Sequence, residues 1–115
     1  MRSRRPTWTG AEQIVSTLNL PAGAYILNAH LTANNNATTN QSVNCRFLGA
    51  GAFGRASSID LGPNTNLDRQ VIALTGSVNL TQTVAVTVRC TATSTEGNFL
   101  DIGFTAVRVG TLTAS

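Results

Sequence analysis

Apolar residues at every second position constrain the fold of this chain more than any other feature of its sequence. In the segment AYILNAHLTA, residues 24–33, every second residue from Tyr25 to Ala33 is apolar, and most of the residues between them are polar. Successive side chains of a β-strand point to opposite faces, so this period places the apolar members on one face. Helical periodicity is nearly absent. The sequence therefore predicts an all-β protein.

The same period recurs in QTVAVTVRCTA and in SVNCRF. The residues expected to face the core are Val84, Val86, Val88, Cys90 and Ala92 in the first segment, and Val43, Cys45 and Phe47 in the second. Further strands are predicted at 13–20, 56–61, 70–76 and 99–112, and segments rich in Gly, Pro, Asn, Ser and Thr separate them. This spacing predicts a β-sandwich or a jelly roll.

The last predicted strand, FLDIGFTAVRVGTL, has apolar residues on both of its faces. Leu100, Ile102, Phe104 and Ala106 share one face, whereas Val107 and Val109 lie on the other. This pattern fits a bulge near residues 105–106, or a central strand that is covered on both sides. Burial on both sides in so small a chain predicts a subunit interface.

The charge of the chain is concentrated at its N-terminus. All eight basic residues are arginine; three of them, Arg2, Arg4 and Arg5, account for the net charge of +3, and the other five equal the acidic residues in number. The absence of lysine has two explanations, either the planar fork that arginine offers to carboxylate or phosphate, or a GC-rich genome. A nucleic-acid-binding fold spreads basic residues over one face, so no nucleic-acid partner is predicted.

Neither a signal peptide nor a membrane helix is predicted. MRSRRP resembles a positively charged leader, but no apolar run of the length of a signal-peptide core follows it. No segment approaches the length of about 20 apolar residues that a membrane helix needs. We therefore expect synthesis in the cytosol, no membrane partner, and release to the outside by lysis or within a particle.

The chain is predicted to be one domain, residues 12–115, preceded by an extended basic arm, residues 1–11. Pro6 disfavours helix at Arg5, and Trp8, the sole tryptophan, lies outside the strand pattern. Arginine and tryptophan are common anchors of protein interfaces. Arg2, Arg4, Arg5 and Trp8 are therefore predicted to bind a neighbouring subunit or an acidic capsid surface, with Trp8 in a pocket. A disordered tail is the alternative.

Three segments together resemble the tumour-necrosis-factor-like and complement-globular-head family of jelly rolls. They are LNLPAGAYILNAHLTANN, which carries a Pro–x–Gly–x–Tyr start, LTGSVNLTQTVAVTVRCTA, and the closing strand FLDIGFTAVRVGTL. The resemblance covers residues 12–112. It implies a jelly-roll β-sandwich of about eight to ten strands that forms a homotrimer around its inner sheet, with a role in recognition or scaffolding. The metal-binding aspartates of some members have no matched position here.

The resemblance also implies that the strands of Cys45 and Cys90 lie side by side in one sheet. A cross-strand disulfide is then possible. The alternative is a pair of buried thiols that act as small hydrophobic side chains. Synthesis in the cytosol favours thiols, whereas a later location in an extracellular particle favours the bond.

No catalytic, metal or cofactor site is predicted. GAGAFG, residues 49–54, satisfies the dinucleotide-binding glycine pattern, but the sequence after it cannot start the required helix. His30 is the sole histidine and has no second ligand at metal-binding spacing. In a trimer, His30, Phe104, Val107 and Val109 are the predicted interface residues.

The function that these features favour is that of a non-enzymatic virion protein. We expect a homotrimer that decorates or cements a bacteriophage capsid and attaches through its N-terminal arm. The alternative is a receptor- or carbohydrate-binding head of a phage tail or fibre, or of a bacterial surface protein. The loop NNNATTN, residues 34–40, would suit the hydroxyl groups of host-surface glycans. The predicted location is the outer surface of an extracellular particle.

Overall fold

The chain folds into seven β-strands in the part that the computed structural model describes, which is residues 6–49, 52–63 and 69–110 without the side chains of 52–55. The strands are β1 (Glu12–Leu20), β2 (Gly23–Asn35), β3 (Gln41–Leu48), β4 (Ala52–Leu61), β5 (Arg69–Leu80), β6 (Val84–Ala92) and β7 (Gly97–Val109). β4 begins at Ala52, inside the glycine pattern of residues 49–54, and continues to Leu61, so a strand stands where a nucleotide site needs a helix. None of the described residues forms a helix suited to spanning a bilayer.

The strands form two antiparallel sheets, and this confirms the prediction of an all-β chain. One sheet has the order β1-β6-β3-β4 and the other has the order β5-β2-β7. The inward faces of the two sheets enclose one hydrophobic core, to which every alternation described above contributes. The largest fully buried side chains are those of Trp8, Phe47, Phe99, Leu27, Leu31, Leu61 and Ile72.

β7 differs from its prediction in position and in the place of its irregularity. The pairing with β2 shifts between His30 and Thr32, and the opposing Asp101 has a positive φ of 52°. A bulge residue in this conformation reverses the alternation of a strand, and aspartate tolerates it better than most residues do. Leu100 therefore lies on the outer face opposite Thr32. The prediction of a bulge at 105–106 was wrong, because the irregularity lies at Asp101. The prediction of a central strand was also wrong, because β7 is an edge strand.

Residues 6–11, which we call the N-terminal strap, are folded against the sandwich. The Trp8 backbone N–H donates to the Gly97 carbonyl at 2.9 Å, and the Phe99 N–H donates to the Pro6 carbonyl at 2.9 Å. The Gln13 side chain holds the same segment, because its amide donates to the Thr7 carbonyl and accepts from the Thr9 N–H, both at 3.0 Å. The strap thus covers the start of the β7 edge, where unpaired backbone groups would otherwise be exposed.

Candidate interaction surfaces

The outward face of the β5-β2-β7 sheet is the first candidate, and we call it the outer β2 face. Cross-strand register defines its members. They are Ala24, Ile26, Asn28, His30, Thr32 and Asn34 on β2, Asn79, Ser77, Thr75, Ala73, Val71 and Arg69 on β5, and Val109, Val107, Thr105, Gly103, Leu100 and Asn98 on β7. Arg69 is the one arginine, lysine or carboxylate residue among them.

Large apolar side chains are exposed on this face. Val71 is 65% exposed, Val107 56% and Ile26 41%, and Ile26 and Val107 are direct cross-strand partners. These three are all but one of the large hydrophobic side chains that are exposed in the described part of the chain. Ile26 and Val107 form one exposed aliphatic pair, whereas Val71 lies opposite Thr32, six residues further along β2. Exposed aliphatic groups on a sheet face with a single charged residue favour a protein-protein contact.

The structure places three of the four predicted interface residues on the outer β2 face. His30, Val107 and Val109 belong to it, and the His30 ring lies directly over Gly103 on the neighbouring strand. Any side chain at position 103 would occupy the space of that ring. Phe104 is the exception, because it points inward and packs on Phe47, with ring centroids 5.5 Å apart. The prediction of Phe104 as an interface residue was therefore wrong, because the register of β7 directs its side chain to the core.

Trp8 lies inside its own domain. The side chain is 2% exposed, its ring centroid is 6.2 Å from that of Phe99, and its ring fills the space next to Gly97. This burial shows that the prediction of Trp8 in the pocket of a partner was wrong. The physical reason is that burial in its own core stabilises an apolar ring as much as burial in a partner does. Residues 6–11, which were predicted to belong to the arm, are held on the sandwich. Arg2, Arg4 and Arg5 lie outside the described residues.

Cys45 and Cys90 form a disulfide across the β3–β6 pair. The two residues are direct register partners with Cα atoms 4.0 Å apart, and both side chains are fully buried. The bond lies beneath the centre of the four-stranded sheet and joins residues 45 positions apart in the sequence. The disulfide is therefore a structural bond in the core, and neither sulfur is exposed to solvent.

An open pocket of about 550 Å³, which we call the polar pocket after the polar residues that line most of it, lies beside the loop NNNATTN at one end of the sandwich. Its described lining is formed by Asn40, Gln41, Ser42, Asp60, Leu61, Gly62 and Thr93. The buried Asn35 shapes this loop, because its amide donates to the Thr39 and Gly62 carbonyls at 3.0 and 2.8 Å and accepts from the Ala37 N–H at 2.9 Å. Among the described residues, the lining offers hydroxyl, amide and carboxylate groups but no aromatic ring on which a sugar ring could stack.

Metal-binding groups do not cluster in the described part of the chain, where no three His, Cys, Asp or Glu side chains come together.

Comparison with known proteins does not assign the chain to a family. No protein-family model, no curated protein and no solved structure has detectable similarity to it.

Proposed function

We propose that this chain is a non-enzymatic structural protein of a bacteriophage-like particle, which forms a homotrimer and decorates the capsid. The observation that carries the proposal is the outer β2 face, where Ile26, Val71 and Val107 are exposed on a sheet surface that is almost free of charge. Covering such a face with another copy of the chain removes apolar surface from water and so lowers the free energy. The number of three copies rests on the resemblance to the trimeric jelly rolls.

The jelly-roll form of the sandwich belongs to this proposal as well. A jelly roll pairs its second strand with its seventh and its third with its sixth, in opposite sheets, and the β2–β7 and β3–β6 pairs follow this rule. The β2–β5 pair is instead a feature of immunoglobulin-type sandwiches. The proposed interface is the outer β2 face for either connectivity, whereas the number of three copies depends on the jelly-roll resemblance.

Charge substitutions on the outer β2 face are expected to dissociate the assembly. In Ile26→Arg and Val107→Arg, each contact would bury an unpaired guanidinium, so the apparent mass should fall to that of one chain, 12.0 kDa. Light scattering after gel filtration gives this mass directly. Thr17→Arg is the matched control, because Thr17 is an exposed strand residue on the opposite sheet. Retention of the assembled mass by Ile26→Arg, or its loss in Thr17→Arg, would contradict the proposed interface.

The arginines of the arm are proposed to attach the trimer to an acidic capsid surface. Replacing Arg2, Arg4 and Arg5 together by Ser should abolish co-sedimentation with purified capsids and leave the trimer intact, because the strap and Trp8 are unchanged. Trp8 fluorescence should show the same buried environment in both proteins. Undiminished binding of the triple variant to capsids would refute the role of the arm.

The second candidate is a carbohydrate-binding head, which the polar pocket beside residues 34–40 favours. Its lining contains Asp60 and Thr93, groups that hydrogen-bond sugar hydroxyls in many binding sites. The capsid assay separates the two candidates when a glycan array is run in parallel. Glycan binding that Asp60→Asn removes, together with no capsid binding, would replace the first proposal by the second.

A further inference from the structure

The outward face of the four-stranded sheet carries two arginines that share one carboxylate. Arg46 on β3 and Arg89 on β6 are direct cross-strand partners. Like charges at such positions repel each other. The carboxylate of Glu12, on β1, is the acidic group that reaches them, so this cluster has an excess of one positive charge.

The two arginines are not equally satisfied. Arg46 binds Glu12 with both ends of its fork, through Nε to Oε2 at 2.9 Å and through Nη2 to Oε1 at 3.0 Å. Arg89 approaches the same carboxylate only to 4.0 Å, from Nη1 to Oε1, which is too long for a hydrogen bond. The terminal nitrogens of Arg89 therefore have no hydrogen-bond acceptor among the described residues.

The guanidinium of Arg89 is nevertheless held in place. Its Nε donates to the Thr87 hydroxyl oxygen at 3.0 Å, and that hydroxyl donates to the Leu48 carbonyl at 2.8 Å. Thr87 is itself buried, at 4% exposure. A fork that is fixed at one nitrogen and unpaired at the other two is arranged to accept an oxyanion with little further loss of entropy.

We propose that Arg89, with Arg46 beside it, binds a carboxylate side chain of a partner protein. Charge complementarity favours an acidic group, because a single bound carboxylate would neutralise the excess charge of the cluster. The neighbouring surface favours a protein over a polyanion. Ile14, the direct cross-strand partner of Arg89 on β1, is 53% exposed and supplies an apolar contact at the rim. One excess charge is far below the number of phosphate contacts that a nucleic acid makes.

This site is separate from the proposed trimer interface, because it lies on the sheet opposite the outer β2 face. It goes beyond the proposed function, since it predicts a second contact that the full protein makes through a rigid sheet surface.

The test is an NMR titration of the ¹⁵N-labelled full chain with the capped tripeptide N-acetyl-Leu-Glu-Leu-amide at constant ionic strength. The side-chain Nε–H signals of Arg89 and Arg46 should shift saturably, and the tripeptide with Gln in place of Glu should leave them unmoved. Arg89→Gln and Arg89→Lys should each weaken binding by at least about tenfold, because a bidentate charge-assisted contact is lost. Glu12→Gln should strengthen it, since the fork of Arg46 is released.

Arg69→Gln is the matched control, because Arg69 is an exposed arginine on the other sheet that donates to the Asn34 side chain at 3.2 Å. It should bind the tripeptide as the unchanged protein does. Three results would overturn the proposal: equal shifts with the Gln tripeptide, unchanged binding in Arg89→Gln while Trp8 fluorescence reports an intact fold, or saturable binding of inorganic phosphate in the absence of tripeptide binding. The last result would assign the cluster to a phosphate ligand.

Discussion

Replacing Trp8 by alanine is expected to lower the free energy of unfolding by about 3–5 kcal/mol, the usual cost of deleting a large aromatic side chain from a core. The ring is almost fully buried against Phe99, and the strap that carries it makes two backbone hydrogen bonds to β7. Without the ring, no large buried side chain anchors the strap, and its hydrogen bonds to β7 and to Gln13 should weaken. Urea unfolding followed by far-ultraviolet circular dichroism measures the change.

Two further variants make this prediction specific to the packing of the ring. Gly97→Ala should destabilise the fold as well, because a Cβ there would lie 2.5 Å from the Trp8 ring and 2.6 Å from the Asn34 carbonyl oxygen. Thr17→Ala is the control and should leave the unfolding midpoint nearly unchanged, since Thr17 is an exposed residue of β1. A loss below about 1 kcal/mol in Trp8→Ala would show that the strap is not part of the core.

Reduction of the Cys45–Cys90 bond is expected to cost about 3–4 kcal/mol of stability. The bond closes a loop of 45 residues and so restricts the unfolded chain, which is the main source of disulfide stabilisation in the chain-entropy model. Urea unfolding with and without reductant measures the difference. Cys45→Ala/Cys90→Ala is the control, because its stability should not respond to reductant.

Thiol labelling checks the bond itself. The unreduced protein, unfolded in urea, should take up no alkylating reagent, and after reduction it should take up two equivalents. Two reactive thiols before reduction would contradict the disulfide. Cys45 and Cys90 would then be two small buried side chains, and reductant would leave the stability unchanged.

Strand alternation was a sound guide because it reports burial on a single face. Tyr25, Leu27 and Leu31 all face the core as their spacing predicts, and so do Val86 and Val88. The same reasoning failed where one residue breaks the period. At β7 the bulge at Asp101 depends on a backbone conformation, and the alternation of side chains continues normally from Ile102 onward.

Trp8 was misplaced for a different reason. The strap makes a single β-bridge, between Thr7 and Asn98, so it is too short to show any periodicity. Its burial depends on Gly97 and Phe99, which are about 90 residues away in the sequence. One signal was present: a lone tryptophan close to the first strand of a small domain gains more free energy from its own core than from solvent.

The sequence alone could not predict that Arg46 and Arg89 are cross-strand partners. Counting charges balanced the arginines of the domain against its acids, but only the register of β3 with β6 shows that these two share Glu12. The described Asp60, Glu96 and Asp101 make no ion pair with a described arginine. A numerical balance of charge therefore concealed a local excess.

The central claim is that the outer β2 face is covered by other copies of the chain. Sedimentation equilibrium of the unchanged protein over a wide concentration range tests it most directly. A mass of about 36 kDa, three times the 12.0 kDa of one chain, is the predicted result. A mass of one chain that persists at the highest concentration would contradict the account.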